Sequence, residues 1–208
     1  MLTYSAQMQC TSRIIALLAW LAVLLALAPP TRAGIEEDCV QSRDPYLGIG
    51  GCTAVIRFGK WRGKDLAWAY YNRGIDYAIL GEHRLAIEDY DQALRLDPDD
   101  ALAYYNRGAA HDEIGEYRRA IEDYDQALRL NPGDADACQK RGISYENLGE
   151  HERAARDWEQ AIRIDGASRA KWWQQYLKWK GHYAGAIDGI YGTGMWRGLL
   201  ACARDPNC

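Results

Sequence analysis

AIEDYDQALRL, residues Ala86–Leu96, returns without a change at Ala120–Leu130, 34 residues further on. A second string keeps the same step: YYNRG stands at Tyr70–Gly74 and again at Tyr104–Gly108. Weaker copies continue to Ser168. A period of this length belongs to stacked helix pairs, in which one unit cannot bury its apolar face alone and is completed by its neighbours. Three units follow from the register, at 67–100, 101–134 and 135–168. Arrays of this kind present a surface more often than an active site.

Within the first unit, Tyr70, Gly74 and Tyr77 share one face of a first helix, here called A. Ala86, Tyr90 and Ala93 share one face of a second, B. Gly74 and Ala86 are small where the helices would cross, and the tyrosines fill the space on either side. Gly81, Gly115 and Gly149 stand where helix A must end, a place that favours positive φ and hence glycine. Pro98 and Pro132 close helix B. The expected fold is an all-α solenoid of three helix-turn-helix repeats, with a small helical cap before it and a helical module after it.

The pattern of Gly74, Ala86 and Ala93 with Tyr77, Tyr90 and Pro98 resembles the tetratricopeptide repeat. The third unit keeps Gly142, Tyr145, Gly149, Ala154, Trp158 and Ala161, with Gly166 where proline is usual. The resemblance implies that helix A residues line a groove for an extended peptide or a helix of a protein partner. Those residues are Trp68, Tyr71, Asn72 and Ile75 in the first unit, Leu102, Tyr105, Asn106, Ala109 and Asp112 in the second, and Asp136, Gln139, Lys140 and Ile143 in the third. Asn72 and Asn106 can both donate to and accept from a peptide backbone. The family's version that clamps a C-terminal carboxylate uses several basic groove residues. Only Lys140 is basic here, so no such clamp is expected.

Glu88, Asp89 and Asp91, repeated as Glu122, Asp123 and Asp125, give helix B an acidic stripe opposed by Arg84, Arg95, Arg118, Arg119 and Arg129. It reads as a solvated, salt-bridged face. His83 and His151 begin helix B, and His111 replaces the tyrosine seen at Tyr77; surface and core account for them. No nucleophile, catalytic residue, cofactor or metal set is expected, because no Cys or His pair has zinc-site spacing.

Residues 1–33 read as a bacterial signal peptide: Arg13 precedes the apolar run Ile14–Ala28, which ends at Pro29 and Pro30. Cleavage is expected before Gly34, with Ala28 as a second choice. The expected location is therefore periplasmic or secreted, with no membrane span left after processing, since 15 apolar residues fall short of the roughly 20 a spanning helix needs. The chain carries 29 acidic against 25 basic side chains, a balance that argues against nucleic acid as a partner. Cysteines agree with export. Cys39 with Cys52 and Cys202 with Cys208 would each close a short loop, and Cys138, in the register position of Tyr70 and Tyr104, reads as a buried core residue. Residues 34–66 look like half of a degenerate repeat, a cap whose helix starts at Asp44 and Pro45 and carries Leu47, Ile49, Val55 and Ile56.

After Ser168 the composition changes. The string AKWWQQYLKWK, Ala170–Lys180, leads into a glycine-rich stretch whose turns Ile187, Ile190 and Tyr191 would plug. Leu177, Gly181, Tyr183, Gly185, Ile187, Asp188, Gly189, Gly192, Leu199 and Leu200 resemble the helical peptidoglycan-binding domain, with Asp188 fixing a turn. Met195 stands where that family has a capping threonine, and the first helix is shorter. The resemblance implies that residues 169–208 bind peptidoglycan, with Trp172, Trp173, Tyr183, Tyr191 and Trp196 as sugar platforms. The same residues could instead serve as the polar cap that a repeat array requires. The expected function is a protein-interaction scaffold held at the cell wall. A cell-wall hydrolase or amidase accessory and an oligomerising assembly factor remain the alternatives.

Overall fold

The computed structural model describes residues 32–208; the apolar run Ile14–Ala28 falls outside them. Among the described residues every regular element is helical: α1 Arg32–Gln41, α2 Pro45–Phe58, α3 Ala67–Ile79, α4 His83–Leu96, α5 Ala101–Glu113, α6 Tyr117–Leu130, α7 Ala135–Asn147, α8 His151–Asp165, α9 Ala167–Trp179 and α10 Thr193–Ala203. Helices α3, α5 and α7 are the A helices of the three repeats, and α4, α6 and α8 are their B helices.

The repeat register explains how each pair closes. Asp100 and Asp134 cap α5 and α7, each accepting two backbone N–H groups at about 3.0 Å. Each A helix ends in one device: Glu82 N–H donates to Tyr77 C=O and Gly81 N–H to Ala78 C=O, with Gly81 at φ 77°. The same bonds recur at Gly115 and Gly149. This is the left-handed glycine ending the sequence predicted. Across the pair, Tyr90 lies over Gly74 so closely that a Cβ there would sit 2.7 Å from the ring, while Ala86 and Ala93 are fully buried beside it. Cys138 is buried, as expected.

The acidic stripe requires a correction. Asp89, Asp123 and Asp157 are buried at 4–6% exposure, not solvated. Each is gripped bidentately by the arginine of the YYNRG string or its third copy. Arg73 reaches Asp89 at 2.7 and 2.7 Å, Arg107 reaches Asp123 at 2.9 and 2.5 Å, and Arg141 reaches Asp157 at 2.8 and 2.6 Å. The remaining guanidinium nitrogen spans to the previous repeat, from Arg107 to Asp91 and from Arg141 to Asp125, both at 2.5 Å. One side chain thus ties A to B within a unit and the unit to its predecessor. Burial alone would depress the Arg107 guanidinium, but its two carboxylate partners outweigh that and hold it above its ordinary value.

At the N-terminus the structure shows a complete helix hairpin and not half of one. Asp44 caps α2 by accepting from Tyr46 N–H, with Pro45 at the first position. A Cys39–Cys52 disulfide, Cα–Cα 4.5 Å, staples α1 to α2. Their buried residues join Ala69 in a small core, against which Trp61 and Trp68 pack edge to face at 6.2 Å.

At the C-terminus α9 is a fourth A-type helix in all but partner. It has the 13 residues of α3, α5 and α7. It also ends in their device, with His182 N–H on Leu177 C=O and Gly181 at φ 81°. It starts two residues ahead of the 34-residue register, so Gln174 falls where Gly74, Gly108 and Gly142 stand. No B helix can cross there. The loop backbone docks instead: the fully buried Gln174 amide donates to Asp188 Oδ1 at 2.8 Å and Ile190 C=O at 3.1 Å and accepts from Gly189 N–H at 2.9 Å. Asp188 also accepts Ile190 N–H at 2.9 Å, fixing the turn as expected. With the interior occupied by these bonds, Ile187 and Ile190 turn outward, exposed at 40% and 69%, and only Tyr191 packs. α10 begins at Thr193 and buries Met195, Leu199 and Cys202 against Trp158, Trp173 and Leu177. Met195 is a core residue here, which explains a large apolar side chain at that position. Cys202 and Cys208 are bonded, Cα–Cα 5.2 Å.

Candidate functional site

The face formed by the A helices carries most residues predicted for partner binding. Leu102 is 58% exposed there, with no burial to account for a leucine. Between α3 and α5 lies a cleft of about 310 Å³ walled by Ile75, Ala78, Ile79, Asn106 and Ala109, with Glu113 at its edge. Tyr71 packs on Tyr90 at 6.0 Å and its hydroxyl accepts the Asn106 amide at 2.9 Å. Tyr105 packs on Tyr124 at 5.8 Å. Burial pushes both tyrosine hydroxyls, Tyr71 and Tyr105, above their ordinary range, so they stay neutral donors at physiological pH.

Some predicted groove residues have structural duties. Trp68 is packed into the N-terminal core. Asp112 is half-buried and accepts from Tyr124 OH at 2.8 Å and Ser144 OH at 2.6 Å, binding the second repeat to the third. Burial raises its carboxyl, and the two hydroxyls and nearby Lys140 pull it back only in part. Gln139 accepts from Arg169, which also pairs with Asp136 and Asp165. Asn72 and Lys140 remain half-buried on the face.

The five candidate sugar platforms do not assemble into one surface. Trp172 is 51% exposed, but Trp173 is buried against Trp158 at 5.1 Å. Tyr183 donates to Ala186 C=O within its own loop. Tyr191 lies under the Arg163 guanidinium at 5.3 Å, and Trp196 packs on the hairpin core. Sequence reasoning missed Trp179, the most exposed of the described tryptophans at 76%, and Tyr176, which stacks on Trp172 at 5.4 Å with 4° between planes. Helical spacing would have found them, since 172, 176 and 179 follow an i, i+4, i+7 stripe.

Among the described residues no group of three or more His, Cys, Asp and Glu is placed to hold a metal. No described helix is long and apolar enough to cross a membrane.

Stacked helix pairs with clefts between successive A helices define a solenoid of the protein-interaction kind. The family described as TPR repeat matches residues 74–115, and two described as tetratricopeptide repeat match 101–134 and 135–168. The array is therefore one of tetratricopeptide repeats. A crystal structure of MamA is similar at 26% identity, covering 71% of this chain and 85% of that one, with a TM-score of 0.59. MamA from Desulfovibrio magneticus RS-1 has the same fold at 24% identity, 71% and 80% coverage and a TM-score of 0.61. The second TPR of Spaghetti (RPAP3), bound to the HSP90 peptide SRMEEVD, is 30% identical over 49% of this chain and 94% of that one, with a TM-score of 0.48. No curated protein matches the sequence.

Proposed function

We propose that this protein is an exported interaction scaffold whose A-helix face holds a peptide or helix of a protein partner. One observation carries the reading: an apolar cleft of about 310 Å³ opens between α3 and α5, with Leu102 and Ile79 standing exposed on the same face. An apolar cleft flanked by exposed apolar side chains marks an interaction surface. The apolar leader and the two short-range disulfides support action in an oxidising compartment outside the cytoplasm. Capture of envelope proteins on immobilised mature chain tests the groove. Leu102→Asp and Asn72→Ala should reduce capture of the specific partner by at least about tenfold, a loss of ~1.4 kcal/mol, with helical circular dichroism unchanged. Undiminished capture by both variants would sink the assignment.

A second reading, retention on peptidoglycan through residues 169–208, is supported by Trp172 and Trp179 standing exposed on α9. It is tested by sedimenting the mature protein with isolated sacculi. Trp172→Ala and Trp179→Ala together should abolish retention; sedimentation unaffected by the pair rejects those tryptophans as the glycan contact.

A further inference from the structure

The cleft between α3 and α5 has a counterpart two repeats further on, and the counterpart has different walls. Ile75, Ala78 and Tyr90 correspond by register to Ile143, Glu146 and Trp158. Asn106 and Ala110 correspond, through the shifted start of α9, to Trp172 and Tyr176. A second cleft, about 320 Å³, lies at these positions between α7 and α9. Trp158, Trp172, Trp173 and Tyr176 supply aromatic walls, the Cys202–Cys208 disulfide adjoins them, and Glu146 supplies the one acidic side chain.

Three features distinguish this cleft from a plain apolar pocket. Glu146 has no ion-pair or hydrogen-bond partner among the described residues, and burial raises its carboxyl above the usual range, with nearby His151 pulling it back only in part, so a cation beside it would relieve a cost already present. The aromatic rings of α9 already take one cation, with Lys180 Nζ 5.6 Å from the ring centroid of Tyr176 and 4.9 Å from that of Trp179. The indole N–H of Trp173, which lines the cleft, is buried without a partner, an expense a bound acceptor would offset.

We propose that the α7–α9 cleft is a specificity pocket for an arginine or lysine side chain of the peptide partner. The aliphatic stem and cationic head would lie against Trp172 and Tyr176, with the head on Glu146, a combination of cation–π and charge-assisted bonding. The residue's own backbone carbonyls supply an acceptor of the kind the Trp173 indole lacks. A sugar is less suited. Gln139, the amide at the cleft, is already engaged by Arg169, and the Tyr176 hydroxyl by Cys208 C=O, so neither is free for a sugar's hydroxyls. The inference rests on the peptide-binding reading of the A-helix face, and it fixes part of the partner's sequence.

The test uses the full mature chain labelled with 15N, following indole resonances during titration with three blocked tripeptides: acetyl-Gly-Arg-Gly-amide and its citrulline and leucine analogues. N,N′-diacetylchitobiose serves as the sugar probe. The arginine peptide should shift the Trp172 and Trp173 signals saturably, with at least about tenfold preference over citrulline, and Glu146→Gln should remove that preference. Equal response to citrulline, or a response to the disaccharide alone, overturns the proposal, the latter in favour of a glycan platform. Leu102 and Asn72 lie outside this cleft, so the two readings fail separately. Partner capture lost in Leu102→Asp, with an arginine-blind cleft, rejects the pocket and keeps the groove.

Discussion

The central repeats and the C-terminal hairpin begin from the same A helix, of one length and one glycine ending, yet close it by different chemistry. In α3, α5 and α7 a glycine lets an aromatic ring of helix B lie on the backbone, and a buried arginine–aspartate clamp locks the pair. In α9 the glycine is replaced by Gln174 and the arginine by Trp173. The amide then recruits a loop where a helix would have crossed. The changes at these two register positions end the solenoid and cover its last core, while two further ones, Trp172 and Tyr176 in place of Asn106 and Ala110, give the last cleft its aromatic walls.

The clamp side of the comparison should be the more fragile. Arg107→Met leaves Asp123 buried with no guanidinium, and His111 Nε2, 3.9 Å away, is the nearest cation-capable group. Loss of one partner of a buried pair costs about 3–5 kcal/mol. The expected outcome is a large drop in the urea midpoint for the whole array. Arg107→Met with Asp123→Leu should recover a good part of it, since removing both charges spares the uncompensated one. A single variant with an unchanged midpoint would show that the clamp is electrostatically idle.

On the hairpin side, Gln174→Leu strands the turn at Asp188–Ile190, and the Gly189 N–H loses its acceptor. The expected cost is about 1–3 kcal/mol, and it should be local. Hydrogen exchange should quicken in α10 and the loop while amides of α5 and α6 keep their protection. If α5 and α6 loosen equally, the hairpin is an integral part of the array's cooperativity and the contrast drawn above is too sharp.

Much of the array was legible because a solenoid writes its packing as a period. Gly81 and Gly115, Ala86 and Ala120 and the paired cysteines each announce one local requirement. The clamp was legible in principle, since an arginine and an aspartate recur 16 residues apart in all three units. Charge composition instead suggested a wet surface, and composition cannot report that the carboxylates point inward. Gln174 had no signal, because an amide in a charged, tryptophan-rich helix reads as surface until the loop that seeks it is placed. The α7–α9 cleft was hidden for a related reason: its register is shifted by two residues, so alignment on the period mispairs Trp172 and Tyr176 with the wrong positions in the earlier units.

The N-terminal junction sharpens the comparison from the other end. Asp76 holds the register position of the buried Ala110 and Ser144, but its neighbour across the interface is the degenerate helix α2, where a Cβ on Gly48 would fall 2.1 Å from Asp76 Oδ2. The carboxyl has no hydrogen-bond or ion-pair partner among the described residues, and burial alone pushes its pKa up to about 6. A carboxylate raised above its unfolded value opposes folding when ionised. Its cost is therefore full above pH about 6, shrinks as the pH falls toward 4 and vanishes below that. Allowing for solvent around a partly exposed group, the amount is about 1 kcal/mol. Asp76→Asn should stabilise the protein by about that much at pH 7.5 and by nothing measurable at pH 4, which paired urea melts at the two pH values would reveal. Equal effects at both would mean that Asp76 acts through packing on Gly48, and that this junction, like the internal ones, is governed by shape.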